Sequence, residues 1–341
     1  MNGMEILIDI DSNLNDNQPL YRIVDFFAAT DVISTQKLRF SRADTFQDQN
    51  EGIDRLLRQI QYGTRFRCGG MGWSDIESAK QAHFYTQKSH FISCWTTNPE
   101  SVAMWSLYSP DHTSVRLKTS VGKLRKTLLN VLSKKSLMRL LEVDIGKRIV
   151  VCVGARISSV DYEPLHDLLY KVTRRAKAHD RLFDQYTRRN QKIPTIISNP
   201  SRFYARQAER KFKAINSNAT CNLKDTSFEH EHEVRVVLKF GEEVCTASVL
   251  EQQQWIDPAH EYHSLLKEHM KFWGLVRLTD LPNYEFANCT NDFIESISID
   301  PRCPKYKREF MENWFASQNV HIDESHCFGY IANAFTVFPE K

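Results

Sequence analysis

Apolar and polar positions along this chain change period repeatedly, and the changes predict short helices and strands in mixed order. Leu20 to Asp31 places its apolar residues at helical spacing, and Lys37-Leu38-Arg39-Phe40-Ser41 alternates as a short strand before the polar run from Arg42 to Gly52. Residues 53 to 90 are mostly helical in pattern, with the glycine cluster Gly69, Gly70 and Gly72 read as a loop. His90 to Trp95 is a compact apolar strand, Ser101 to Tyr108 a short helix capped by Ser101 or Asn98, and Thr113 to Thr119 a further strand. The stretch from Asp161 to Arg210 is helical and basic. Glu229 to Phe240 reads as the clearest strand of the second half, and Ile294 to Ile299 as a shorter one. Pro301 and Pro304 then punctuate the chain before a helix from Lys305 to Gln318. The expected fold is α+β: central mixed or antiparallel sheets with flanking helices, in a single domain over residues 1–341 with a basic helical insertion around 163–212.

Composition narrows the class. With 341 residues and 41% apolar content the chain can bury a large core. Its 45 basic against 42 acidic residues leave a formal charge of +3, so any polyanion site must be local. Lys171, Arg174, Arg175, Lys177, Arg181, Arg188 and Arg189 supply one candidate, either a solvated helical face or a polyanion-binding surface. No apolar run is long enough to cross a bilayer, and the acidic start is unlike a signal peptide, so a cytoplasmic protein without a membrane partner is expected. The eight cysteines are scattered with no Cys-x-x-Cys, as expected of reduced, mostly buried thiols.

Four segments carry a resemblance. Leu20-Tyr21-Arg22 with Leu38 to Ser41 and Phe46 to Gly52 is the first, and Phe91 to Trp95 leading to Met104-Trp105-Ser106-Leu107-Tyr108 the second and most specific. Lys224 with Phe228 to Arg235 is the third, and Ile297 to Cys303 the fourth. Together they resemble the bacterial family known as domain of unknown function 2971, which often sits among mobile or defence-associated genes. Gln49, Phe228 and Asp300 depart from that family's usual proline, tryptophan and glycine.

If Glu229 to Arg235 is extended, Glu229, Glu231, Glu233 and Arg235 project to one face, with His230 and His232 on the other. A Glu-x-Glu strand behind an N-terminal arginine and a strand ending in serine resembles the layout of ADP-ribosyltransferases. That resemblance implies NAD as cofactor and a nucleic-acid or protein acceptor, in an enzyme or a toxin or defence effector. It assigns Arg22 to the cofactor's phosphate or ribose and Ser41 to the nicotinamide ribose. Glu233 would stabilise the developing oxocarbenium ion, and Glu231 would orient or deprotonate the acceptor. Tyr21, Trp105 and Tyr108 are available for stacking, and Arg235 neutralises the carboxylates.

Other readings stay open. A pure salt-bridge role, as in many solvated strands, accounts equally for the glutamates, and a core role for Trp105 and Tyr108. A noncatalytic nucleic-acid or nucleotide sensor would use the basic helix. A metal-dependent nuclease or hydrolase would use His230 and His232 with His83, His90 or His112, or the Asp44, Asp48 and Glu51 loop. A Gly-x-Ser-x-Gly elbow, a cysteine-nucleophile signature and Gly-x-Gly-x-x-Gly are all missing from the sequence.

Overall fold

The computed structural model describes residues 8–60, 76–133, 138–143, 146–189, 191, 220–242 and 281–329. The glycine cluster and the part of the basic insertion beyond residue 191 lie outside them. Twelve strands are described: β1 (Ile8–Ile10), β2 (Pro19–Asp25), β3 (Lys37–Arg42), β4 (His90–Thr96), β5 (Ser114–Ser120), β6 (Met138–Val143), β7 (Gly146–Ser159), β8 (Asp161–Glu163), β9 (Leu223–Asp225), β10 (Glu233–Glu242), β11 (Tyr284–Asn288) and β12 (Ser296–Ile299). The helices are α1 (Phe26–Thr35), α2 (Ile53–Ile60), α3 (Ile76–Ser89), α4 (Val102–Tyr108), α5 (Val121–Ser133), α6 (Leu165–Arg188) and α7 (Lys305–Ser317). The α+β expectation holds.

Ten strands form one mixed sheet in the order β1-β7-β10-β4-β2-β5-β12, with β6 on β7 and the β3–β11 pair on β4. The strand β4 is where this sheet forks. One edge of β4 pairs with β10 from Lys239 to Glu233, whereas the other is shared: Phe91 and Ile92 face β3, and Thr96 faces Tyr21 of β2. Between those contacts the two branches separate, around Ser93 to Trp95. The helix α1 makes the fork possible by carrying the chain from β2 into β3. Asp25 caps it by accepting from Ala28 N at 2.9 Å, and Gln36 ends it in the left-handed region at φ 54°.

The helical reading of Leu20 to Asp31 is corrected in its first half. Leu20 to Asp25 is extended because Ile23 and Val24 are β-branched and Leu20, Arg22 and Val24 alternate against Thr119, Leu117 and Val115 of β5. The Glu229 to Phe240 strand is also corrected. Thr226–Glu231 is a 3-10 turn capped by Asp225, His232 turns the chain at φ 43°, and the strand begins only at Glu233.

One sheet face carries the main core, where Leu20, Leu38, Phe40, Phe91, Trp95, Leu117, Val236 and Leu238 meet the apolar sides of α1, α5 and α7. On the opposite face, Leu165, Leu168, Val172 and Ala176 of α6 form a helical stripe that packs on Ile53, Leu57 and Ile60 of α2. Among the described residues no helix is long and apolar enough to cross a membrane.

Candidate active site at the sheet fork

The face opposite the main core is polar at its centre. Alternation places Glu233 and Arg235 of β10 on that face, opposite Thr96 and Cys94 of β4. Arg235 is fully enclosed. It grips Glu51 through Nη1 to Oε1 at 2.5 Å and Nη2 to Oε2 at 2.8 Å, and Glu233 through Nε to Oε1 at 2.9 Å. Its Nη1 also donates to the Cys221 carbonyl at 2.7 Å. Lys224 of β9 reaches the same centre from above and donates to Glu231 Oε2 at 2.5 Å and Glu233 Oε2 at 3.2 Å. Its ammonium lies 4.3 Å from the centre of the Phe228 ring. Tyr108, at the end of α4, donates its hydroxyl to Glu231 Oε1 at 2.7 Å. Three carboxylates thus share two cations in a buried chain running Tyr108, Glu231, Lys224, Glu233, Arg235, Glu51.

Electrostatics divides the carboxylates. Burial alone would raise the Glu233 carboxyl, but Arg235 and Lys224 outweigh it and hold the group at about 2. Burial, reinforced by repulsion from Glu233, lifts Glu51 to about 7 against the pull of Arg235. Burial and the Glu231 carboxylate raise the Tyr108 phenol, and burial beside Glu233 raises the Cys94 thiol. Glu233 is therefore a fixed negative charge, while Glu51 titrates near neutrality.

Arg22 of β2 sits at the fork beside this chain. Its Nη1 donates to Ser93 Oγ at 2.9 Å, the same oxygen that accepts from Trp95 Nε1 at 3.1 Å. It forms no ion pair among the described residues. Burial lowers its pKa and Arg39 of β3 lowers it further, with Cys94, Glu233 and Tyr108 acting in the opposite sense. Arg22 is thus within electrostatic reach of Glu233, across a fork one strand wide.

Tyr108 and Glu231 are joined to Glu233 and Arg235 through Lys224, whereas Arg22 leaves β2 on the core face with Leu20 and Val24 and is coupled to Glu233 and Tyr108 through charge. Ser41 lies opposite Ile92 on the β3 branch, and Tyr21 opposite Thr96 on the β2 branch with Arg116 stacked 5.2 Å from its ring centre. Trp105 is 1% exposed and belongs to the core, so its ring offers no stacking surface, and its carbonyl accepts from Arg302 Nη2 at 2.9 Å. Tyr108 is 44% exposed and keeps an open face. Glu231 reaches the network from the turn, not from a strand shared with Glu233.

The alternative metal sets come apart. His230 and His232 are exposed and lie before β10 begins, so they do not share a strand face. Asp44 is held by Arg42 and Lys88, and Glu51 by Arg235. Among the described residues no group of three or more His, Cys, Asp or Glu is placed to hold a metal, and the six described cysteines are free thiols.

Sequence reasoning did not assign Glu51 or Lys224 to this centre. The available signal was co-occurrence: Arg22, Glu51, Tyr108, Lys224, Glu231, Glu233 and Arg235 all fall inside the segments that carry the family resemblance, although they lie far apart in the chain. No curated protein and no solved structure matches the chain. Residues 104–236, which contain Tyr108, Lys224, Glu231, Glu233 and Arg235, match the family described as Protein of unknown function (DUF2971).

Proposed function

We propose that the fork binds an anionic nucleotide and that the chain is an ADP-ribosyltransferase-like enzyme acting on NAD. The observation that carries this reading is Arg22: a half-buried guanidinium, unpaired among the described residues and beside a second arginine, Arg39, needs an anion to balance it. A pyrophosphate has the charge and the acceptor oxygens to do so. Ser41 lies on the β3 branch, and Tyr108 ends α4, which packs against the β2 branch. NAD would bring the glycosidic bond to nicotinamide.

Glu233 supports the reading through its charge. An ionised carboxylate fixed in a low-dielectric site favours positive charge developing at a nearby anomeric carbon. Its oxygens are engaged by Lys224 and Arg235, so it suits electrostatic stabilisation and not proton transfer. Orientation of a nucleic-acid or protein acceptor falls to Glu231, whose Oε1 faces the exposed Tyr108. Free thiols at the six described cysteines suit a cytoplasmic setting.

The test is nicotinamide release from NAD, measured by chromatography for the native chain, Arg22→Gln and Glu231→Gln. Release by the native chain, with KM raised in Arg22→Gln and kcat lowered in Glu231→Gln, is expected. Folded protein that leaves NAD intact, or variants as active as the native chain, would overturn the reading.

A further inference from the structure

The outer face of α6 presents a second feature, remote in sequence from the fork. Leu165, Leu168, Val172 and Ala176 point into the packing against α2. At 100° per residue, Lys171, Arg174, Lys177, Arg181 and Arg188 fall on the opposite side, within a band about 120° wide. All five are exposed. Tyr170 lies within the same band and is 64% exposed.

On α7, Lys305 meets Glu309 and Arg308 meets Glu312, each four residues on. The α6 band differs. Asp167 stands four residues before Lys171, yet none of the five cations forms an ion pair among the described residues. The five cations outnumber the two carboxylates at this band, Asp167 and Asp184, and the repulsion among them is a cost that an anionic partner with regularly spaced charge would relieve. From Tyr170 to Arg188 the band spans about 27 Å at the helical rise. A shallow groove lined by Arg181, Asp184, Gln185, Arg188 and Arg189 marks its far end.

We infer that this band is a binding surface for single-stranded nucleic acid, with the cations following the phosphates and Tyr170 stacking on a base. An aromatic face exposed among cations is the combination that single strands use: stacking for affinity without sequence preference, and charge along the backbone.

The experiment is fluorescence anisotropy of a labelled 20-nucleotide mixed-sequence DNA or RNA strand, titrated with the full chain between 50 and 200 mM KCl. Five phosphate contacts on a single strand give a salt slope of about −3.5, which is roughly a 130-fold loss of affinity over that range. Arg174→Gln/Lys177→Gln/Arg181→Gln removes three contacts, so its slope falls to about −1.4 and its affinity at low salt drops by at least tenfold. Tyr170→Ala weakens binding about fivefold or more with the slope unchanged. The substituted side chains are exposed, so an unchanged Tm serves as the folding control. Absence of binding at 50 mM KCl, binding equal in the triple variant, a tighter complex with the matching duplex, or preference for phosphatidylserine vesicles over the strand would each overturn the inference.

Discussion

Replacing Arg235 by methionine isolates the energetics of the buried centre. Arg235 donates to both oxygens of Glu51, to Glu233 and to the Cys221 carbonyl, so its loss leaves two enclosed carboxylates and a carbonyl short of donors. Holding Glu233 at about 2 instead of the ordinary 4.5 corresponds to about 3 kcal/mol of stability above pH 4.5, shared between Arg235 and Lys224. Breaking a buried ion pair from one side costs about 3–5 kcal/mol in general. The expected destabilisation is therefore about 3–5 kcal/mol at pH 8, a large part of the roughly 5–15 kcal/mol that folded domains possess. It should be smaller near pH 5, where Glu51 can take up a proton. Urea unfolding followed by tryptophan fluorescence measures it, with Arg235→Lys as the milder variant that keeps the charge and loses the two-pronged grip. A loss under about 1 kcal/mol for Arg235→Met would refute the view that this guanidinium organises the centre.

Further outcomes follow from the same geometry. Because the folded Glu51 carboxyl sits at about 7, above its ordinary 4.5, its contribution is present below pH 4.5 and lost as pH rises to 7; Glu51→Gln should flatten that fall of up to about 3 kcal/mol in pH-dependent unfolding curves. Glu233 acts with the opposite sign, so acid below pH 4.5 should destabilise the native chain progressively toward pH 2. Trp105→Ala should cost about 3–5 kcal/mol in chemical denaturation as a cavity-forming change. His232→Gly should be tolerated or stabilising, whereas His232→Val should cost about 1 kcal/mol or more, since position 232 has positive φ; equal stabilities of the two would contradict this.

The strands His90 to Trp95 and Thr113 to Thr119, and the helices around Ser101 to Tyr108 and Lys305 to Gln318, were legible because each is a short apolar pattern bounded by polar or proline punctuation. Leu20 to Asp25 misled because an alternating strand runs directly into a helix, so the apolar positions of the two together mimic a longer helical stripe. At Glu229 to His232 the charged pattern looked extended. Asp225 capping and the left-handed His232 produced a tight turn instead, an outcome that depends on local backbone hydrogen bonds and not on period. The site was legible as a set of residue types and not as an arrangement. Glu51 and Glu233 are 182 positions apart, and only the fork of β4 and the crossing of Arg235 bring them to one guanidinium. Trp105 and Tyr108 look equivalent in sequence; burial makes one core and leaves the other facing solvent.

Calorimetric titration of NAD into the native chain and into Arg22→Gln tests the central claim most directly. A saturable binding heat in the native chain, with affinity at least tenfold weaker in the variant at unchanged Tm, is the predicted result. Folded native protein that gives no binding heat, or a variant that binds NAD as tightly as the native chain, would contradict it.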